Sequence, residues 1–404
     1  MVEIQFNTKS LPNFSIFAML YLLYFQTPSR KGKTLNMATA QTLREKFSFT
    51  SSVAADVWTP KPNAKAYEWW YFDAISDDGR DAVVIIFLDN FIFSPRYNRR
   101  KGEGDANPKP EIPNPKSGVP AVAFTYYRDG KPIYRAINEF GGDEFAASSD
   151  APECTIGENF FRFESAPYGS GYFISIKAQL RKNRSLEAQF EWLAIESDFL
   201  PEKQGGAASD AHVWNLVVSR ADVSGRINVR DEKGKELHAT HFRGTGYHDH
   251  NYDNRWLPET VQDWQWGRAH FNDCSAVFYR YKETGAEGDT TQLFTIRNGE
   301  LRPREAQYEE QQFARDIFGI RYPQRLTFLT EDNMRLRVKQ TKIIDASFFY
   351  LRFLSEMTLT LRDGKPRKAV GITEYLNPKA LKYRWLDWLV NMRIGRNGKG
   401  SFLP

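Results

Sequence analysis

The stretch Asp77-Asp-Gly-Arg-Asp-Ala-Val-Val-Ile-Ile-Phe-Leu88 shows the pattern that decides the fold. A turn signal, Asp77-Asp-Gly79, is followed by an apolar run of strand length. Runs of the same kind occupy residues 121–127, 172–178, 186–192, 213–218, 262–271, 275–281, 326–329, 334–338 and 348–361. Turn signals at residues 128–130, 231–234 and 362–364 separate several of them, as hairpins require. The sequence therefore predicts a mostly antiparallel, all-β protein.

Composition narrows the class of protein. Of the 404 residues, 41% are apolar and 15% are aromatic, with 30 Phe, 19 Tyr and 10 Trp, which favours strands around an apolar cavity. The charge is only +5 and the basic residues are interspersed with acidic ones, so a nucleic-acid partner is not expected. The two cysteines, Cys154 and Cys274, are predicted to be buried free thiols, which indicates a reducing, cytoplasmic location. The oligomeric state is left open.

The chain is long enough for two domains. Four residues, Trp69, Tyr71, Ala74 and Asp78, have the same spacing as Trp264, Trp266, Ala269 and Asp273, 195 residues later. This repeat favours two tandem barrels, with chance matching in an aromatic-rich chain as the alternative. A Gly-rich break at residues 204–209 predicts a linker. We expect an N-terminal extension at 1–60, domains at 61–222 and 223–376, and a C-terminal segment at 377–404.

The two ends of the chain differ from its middle. Residues 14–25 form an apolar run that is too short to span a bilayer, so the extension is expected to be disordered or a weak membrane anchor. Residues 102–120 are rich in Pro, Gly and Asn and predict a loop over a barrel mouth. Near the C-terminus, residues 379–396 have apolar side chains at helical spacing among basic ones. This predicts an amphipathic helix that docks on a barrel or, alternatively, makes a peripheral contact with a membrane.

All six histidines lie between His212 and His270, which places the only near-neutral proton carriers in one part of the chain. Alternate residues of a strand share a face, so Tyr247, Asp249 and Asn251 point one way and the two intervening histidines point the other. His212 and Trp214 share a face in the same manner. Each strand then offers an acid-base group and an aromatic ring, which predicts a buried site inside a β-barrel.

Four motifs together resemble the carotenoid 1,2-hydratase family, also called hydroxyneurosporene synthase, and its AttH-like relatives. They are Tyr67-Glu-Trp-Trp-Tyr-Phe-Asp-Ala-Ile-Ser-Asp-Asp-Gly79, His212-x-Trp214, Gly246-Tyr-His-Asp-His-Asn251 and Asp263-Trp-Gln-Trp-Gly-Arg-Ala269. The resemblance covers roughly residues 60 to 376. It implies two tandem lipocalin-like antiparallel β-barrels, here followed by a C-terminal helix. It implies an enzyme of the hydro-lyase class, whose substrate is a large apolar small molecule.

The resemblance also implies catalytic roles for His212, Trp214, Tyr247 and Asp249. Hydrating an isolated alkene requires a strong proton donor and then a water molecule. We expect Asp249 to be the donor, with a pKa raised by burial, and the rings of Trp214 and Tyr247 to face the cation. Neutral His212 would accept a proton from the attacking water. No cofactor is expected.

Six further residues are predicted to bind substrate, namely Glu68, Trp70, Asn251, Trp264, Trp266 and Arg268. The tryptophans would form core or cavity wall, Glu68 would be a second acid and Arg268 would hold a carboxylate. Alternatively, Glu68 and Arg268 each belong to an ion pair that closes a barrel end. His248 and His250 could bind zinc if His238, His241 or His270 converged on them, but no short-range spacing completes the set, so no metal is predicted.

Two other functions remain open at this point. One is a cyclase similar to the lipocalin-like Diels-Alderases, in which the cavity folds a polyene and proximity accelerates the reaction. The other is a lipid-binding protein that shelters its ligand without changing it. The sequence contains no Walker loop, dinucleotide-binding glycine pattern or nucleophile elbow that would favour a different enzyme.

Overall fold

The structure, a computed structural model, describes residues 47–100, 118–200 and 211–403. Strands make up most of it, which confirms the predicted all-β class. The strands are β1 (Phe47–Thr50), β2 (Tyr67–Ser76), β3 (Asp81–Leu88), β4 (Ala121–Arg128), β5 (Lys131–Glu139), β6 (Phe145–Ala147), β7 (Glu153–Ile156), β8 (Asn159–Ala166), β9 (Gly169–Leu180), β10 (Arg184–Ser197), β11 (His212–Arg230), β12 (Glu236–Asp253), β13 (Val261–Phe271), β14 (Cys274–Glu283), β15 (Thr290–Arg297), β16 (Glu300–Arg315), β17 (Arg321–Thr330), β18 (Arg335–Ala346), β19 (Tyr350–Thr360), β20 (Pro366–Leu376) and β21 (Gly395–Arg396).

Helices are short. The α-helices are α1 (Pro95–Asn98), α2 (Leu257–Thr260) and α3 (Asp387–Asn391), and 3-10 turns occupy Gly142–Glu144, Arg181–Asn183, Pro378–Lys382 and Arg384–Leu386. None of the helices in the described parts of the chain is long and apolar enough to cross a bilayer.

The first unit is a thirteen-stranded sheet in the order β21-β5-β4-β3-β2-β12-β11-β10-β9-β8-β7-β6, with β1 paired to β11. Its curvature brings β5 close to β9, where the Asn138 carboxamide exchanges hydrogen bonds with the backbone of Gln179 at 2.8 and 3.1 Å. Inside the curve lies a dense apolar core that includes Phe72, Phe124 and Trp192. The first sheet is therefore curved like a barrel, and the Asn138 side chain connects β5 to β9.

The second unit is a closed eight-stranded antiparallel barrel, β13 to β20. Its interior holds a separate apolar core that includes Phe278, Leu326 and Leu359. Tandem lipocalin-like units, as the motifs predict, are thus present, and the two cysteines are free and buried as expected.

The predicted domain ranges stay a prediction, but the strand pairing shows which sheet β1 and β12 belong to. β12, placed by the sequence in the second domain, pairs with β11 and β2 of the first sheet. β1 lies inside the predicted N-terminal extension yet pairs with β11. The rest of that extension up to residue 46, most of the predicted loop at 102–120 and the predicted linker at 204–209 lie outside the described residues.

The C-terminal segment does not form the one helix predicted over 379–396. It contains two 3-10 turns and α3, because Tyr383 between the turns has extended backbone angles. Leu381, Leu386, Val390 and Ile394 are buried, and β21 then pairs with β5 of the first sheet. Packing of these four side chains overrides the helical spacing of the sequence.

Candidate active site

An apolar cavity of about 230 Å³ lies between the two units, rather than inside either barrel as predicted. The first sheet contributes lining residues from β2, β3, β4, β5 and β12, and the second barrel contributes them from β13, β14, β18, β19 and β20. The lining of the cavity includes the side chains Trp69, Tyr71, Asp249, Asn251, Trp264, Trp266 and Tyr279. It also includes side chains from the loops beside β16 and β19 and from the C-terminal segment, namely Phe318, Phe348, Phe349, Leu389, Val390, Arg393, Ile394 and Leu403.

The contacts between the units follow the 195-residue repeat. Trp69 packs against Trp264 with ring centroids 5.7 Å apart, and Tyr71 packs against Trp266 at 5.4 Å. Two positions further along, the guanidinium of Arg268 on β13 pairs with Asp73 on β2, again 195 residues apart. β2 and β13 therefore meet at equivalent positions, as in a pseudo-twofold interface.

Three carboxylic side chains line the cavity, and two of them form ion pairs, Glu374 with Arg352 and Asp345 with Arg135. Asp249 is the third. It is 4% exposed and lines the cavity from the outward face of β12. Its Oδ2 accepts hydrogen bonds from Tyr247 Oη at 2.9 Å and Trp214 Nε1 at 3.1 Å, and its Oδ1 accepts one from Asn251 Nδ2 at 2.9 Å. Burial raises the pKa of Asp249 to about 7, although the hydrogen bonds from Trp214 and Tyr247 lower it. A substantial fraction of this carboxyl is therefore protonated near neutral pH.

His212 is fully buried beside the cavity and reaches it through a tyrosine. Its Nε2 lies 2.8 Å from Tyr279 Oη, and Tyr279 lines the cavity. Its Nδ1 faces Tyr67 Oη at 3.4 Å and Asp253 Oδ2 at 4.0 Å. Burial lowers the pKa of His212 to about 4, so the ring is neutral and Nε2 can accept a proton from Tyr279.

Trp214 and Tyr247 contact the carboxyl of Asp249, and neither is among the side chains that line the cavity. The Trp214 indole stacks on Tyr279 at 4.8 Å and packs against Phe49 at 5.2 Å. The geometry thus places both residues as hydrogen-bond donors to the acid. The rings that face the cavity beside Asp249 belong to other residues.

Glu68 and Trp70, predicted to bind substrate, lie on the inner face of the first sheet, away from the cavity. They occupy even positions of β2, whereas the cavity-lining Trp69 and Tyr71 occupy odd positions, and alternate residues of a strand face opposite ways. Glu68 accepts from His250 Nε2 at 2.6 Å, and Trp70 stacks on the His250 ring at 4.9 Å.

We call the buried groups behind β12 the back-face network: Asp56, Lys61, Glu68, Asp89, His248 and His250. Asp56 contacts His248 Nε2 at 3.0 Å and His250 Nδ1 at 3.2 Å, and Lys61 joins Glu68 to Asp89. Burial lowers the pKa of His250, but Glu68 and Asp56 more than offset this and raise it to about 9. Burial likewise opposes ionisation of Asp56, whose pKa His248 and His250 nevertheless lower to about 2.

The zinc alternative requires His248 and His250 to converge with a third ligand on one point. Their contacts are different. His248 contacts the backbone oxygen of Tyr71 and Asp56, and His250 contacts two carboxylates. No group of three or more His, Cys, Asp or Glu side chains in the described parts of the chain is arranged to hold a metal ion.

Of the remaining predicted residues, Asn251, Trp264 and Trp266 line the cavity. Arg268 forms an ion pair, with Asp73, as the alternative prediction for this residue proposed. Burial lowers the pKa of Arg268 to about 10.

Sequence reasoning missed several cavity residues. Tyr279 connects His212 to the cavity, and the only local signal is its position in an alternating aromatic strand. Arg352 and Glu374 also line the cavity, joined at 2.8 Å, and Arg352 Nη1 donates to Tyr127 Oη at 3.1 Å. These residues come from β14, β19 and β20, whose positions against the first sheet no local pattern reveals.

The chain is similar to known carotenoid enzymes. A family model described as carotenoid hydratase CrtC matches residues 203–402. Hydroxyneurosporene dehydrogenase of Chlorobaculum tepidum is 29% identical over 363 residues, which cover 88% of this chain and 94% of that protein. Acyclic carotenoid 1,2-hydratase of Thiocapsa roseopersicina is 26% identical over 238 residues, which cover 58% of this chain and 52% of that protein. The chain thus matches about half the length of this hydratase.

Solved structures share the fold. An AttH-like protein of Nitrosomonas europaea has a TM-score of 0.50 at 14% identity, covering 87% of this chain and 99% of that one. CghA, solved with Sch210972, has a TM-score of 0.50 at 12% identity, covering 82% and 97%.

The fold and the site define a tandem lipocalin-like protein with an acidic residue buried in an apolar cavity between its units. The resemblance to the carotenoid hydratases that the motifs predict is confirmed, and the AttH-like protein shares the fold. The same similarity supports the predicted class of enzyme, a hydro-lyase.

Proposed function

We propose that the protein hydrates a carbon-carbon double bond of an acyclic carotenoid or a similar large apolar isoprenoid. The observation that carries this proposal is a carboxyl with a pKa of about 7 in the wall of an apolar cavity. A protonated carboxylic acid near neutral pH is what protonation of an alkene requires. The similarity to carotenoid 1,2-hydratases supports the substrate class.

In the first step Asp249 protonates the alkene. Oδ2 already accepts two hydrogen bonds and Oδ1 only one, so we place the transferable proton on Oδ1. As the proton leaves, the donors Tyr247 and Trp214 stabilise the carboxylate that forms. Their hydrogen bonds strengthen as the negative charge develops, as hydrogen bonds to charged groups do.

The tertiary carbocation then forms among aromatic faces. Trp264, Trp266 and Tyr279 line the cavity together with Asp249. A cation over such a ring is stabilised by up to roughly 2 kcal/mol when water is excluded. This assigns to the cavity wall the role that the sequence suggested for Trp214 and Tyr247.

Water attacks the cation and must lose a proton. We propose that this proton passes to Tyr279 Oη as that hydroxyl gives its own proton to His212 Nε2, 2.8 Å away. A base with a pKa of about 4 suffices, because a protonated alcohol is a far stronger acid. Return of the proton to Asp249, with its pKa of about 7, is favourable by roughly 4 kcal/mol. The addition changes no oxidation state, so the proposed reaction needs no redox cofactor.

The test is incubation of the purified protein with a detergent-dispersed acyclic carotenoid in oxygen-18 water. We expect a product that is heavier by one labelled water, and we expect Asp249→Asn to abolish its formation. Asp222→Asn is the matched control, because Asp222 is an exposed carboxylate on the neighbouring strand β11. Equal thermal unfolding of both variants shows that the loss is chemical.

The other outcomes identify other functions. A product of unchanged mass with a new ring would indicate the cyclase. A product lacking two hydrogens would indicate a dehydrogenase, as the name of the Chlorobaculum tepidum relative implies. Tight binding without conversion of any acyclic carotenoid would favour a carrier. Full activity of Asp249→Asn would overturn the acid mechanism even if hydration itself were observed.

A further inference from the structure

Exposed apolar side chains concentrate on two segments that also line the cavity. Among the described residues, eleven large hydrophobic side chains are exposed, and six of them lie within residues 313–320 and 381–403. We call these six the docking surface: Phe313, Ile317, Tyr383, Trp385, Trp388 and Phe402. Ile317 is 77% exposed and Phe402 is 70% exposed, so the described residues do not cover them.

Both segments contribute to the lining of the cavity. Phe318, next to Ile317 in the chain, lines it, as do Leu389 and Leu403. The guanidinium of Arg393 lies 5.7 Å from the Phe318 ring and connects the segments. The exposed side chains therefore belong to segments whose neighbouring residues line an apolar cavity.

The C-terminal part of the docking surface is positively charged. Residues 379–403 contain six basic side chains, of which Lys379, Lys382, Arg384 and Lys399 are exposed. The single acidic residue of this segment, Asp387, pairs with Arg99 at 2.5 Å. The exposed basic groups are thus placed to meet an anionic surface.

We propose that the docking surface binds an anionic membrane. Tryptophan and tyrosine favour the headgroup region of a bilayer, and basic residues beside them bind anionic lipids. A protein partner fits less well, because the centre of a protein interface is depleted of charge. Here Lys382 and Arg384 alternate with Tyr383 and Trp385 along the chain.

The proposed surface gives an apolar substrate a route to the acid. A large isoprenoid partitions into bilayers rather than water. Leaving the membrane at the docking surface, it would enter the cavity that Phe318, Leu389 and Asp249 all line. This route rests on the proposed function, whereas membrane binding itself does not.

The test is flotation of the full-length protein with two kinds of vesicle, one of phosphatidylcholine and one of an equal mixture of phosphatidylcholine and phosphatidylglycerol. No carotenoid is present, so the result is independent of catalysis. We expect binding to the anionic vesicles that high salt weakens. Lys382→Ser with Arg384→Ser should weaken it roughly thirtyfold, and Trp385→Ser with Trp388→Ser should also weaken it at least tenfold.

Tyr168→Ser is the matched control, because Tyr168 is 79% exposed but belongs to the turn between β8 and β9. This variant should bind vesicles like the unaltered chain, and unchanged thermal unfolding of all variants would exclude misfolding. Failure of the unaltered protein to bind anionic vesicles would overturn the proposal. The proposal would also be overturned if both double variants bound vesicles as well as the unaltered chain does. Self-association through Trp385 and Trp388 without vesicle binding would overturn it as well.

Discussion

The hydroxyl of Tyr247 provides the sharpest test of the acid. It donates to Asp249 Oδ2 at 2.9 Å, beside the second donor, Trp214. Burial raises the pKa of Asp249 to about 7 even though both hydrogen bonds lower it. Tyr247→Phe removes one of these donors and leaves the ring in place. The charged form of Asp249 then loses stabilisation, so its pKa must rise further.

The size of the shift follows from the hydrogen bond. A hydrogen bond to a charged group contributes about 1.5 to 3 kcal/mol. At about 1.4 kcal/mol per pKa unit, Tyr247→Phe should raise the pKa of Asp249 by roughly one to two units. The apparent value would move from about 7 to roughly 8 or 9.

The assay is the pH dependence of kcat/KM, which reports groups of the free enzyme. The protonated acid is the active form, so the rate falls as the pH rises through the pKa of Asp249. In Tyr247→Phe this fall should occur at higher pH, whatever the maximal rate. Tyr71→Phe is the control: Tyr71 lines the same cavity, but its hydroxyl does not contact Asp249. If kcat/KM of Tyr247→Phe fell at the same pH as in the unaltered protein, or at a lower pH, Asp249 would be refuted as the titrating acid.

Two further predictions concern proton transfer and stability. Tyr279→Phe breaks the contact with His212 and should lower kcat by about two orders of magnitude with a smaller change in KM; equal kcat in steady-state assays would argue against the relay. His250 has a pKa raised from 6.5 to about 9, so its stabilisation is complete below pH 6.5 and is lost as the pH rises through 9. The unaltered chain should therefore lose roughly 3 kcal/mol of unfolding free energy in urea across that range, much of it above pH 7, where Asp249 is largely ionised. His250→Gln should lack this loss, and equal pH dependence in both proteins would contradict it.

Local sequence patterns predict much of the fold. Apolar runs and Gly-containing turns indicate the hairpins, and alternation on β12 separates Tyr247 and Asp249 from His248 and His250. The structure agrees, since the first pair is hydrogen-bonded at the cavity and the histidines contact Asp56. These predictions succeed because the two-residue period of a strand is a local property.

Other features depend on contacts between distant parts of the chain. β16 was missed because its sequence, with few apolar side chains, lacks the apolar run that marks a strand. The single helix predicted over 379–396 is instead two 3-10 turns and α3, because Tyr383 between the turns has extended backbone angles that the apolar spacing does not reveal. The site was expected inside a barrel because alternation reveals which residues share a face but not what that face packs against.

The position of the site between the units explains how one strand carries two opposite electrostatic environments. On the front of β12, Asp249 meets the apolar side chains of the second barrel, and its pKa is high because burial excludes water. On the back, His250 is cationic and lowers the pKa of Asp249, yet its charge is offset by Glu68 and Asp56. An unpaired cation this close would favour the carboxylate and remove the proton that the reaction uses. The buried carboxylates of the back-face network therefore help keep Asp249 protonated, although none of them lines the cavity.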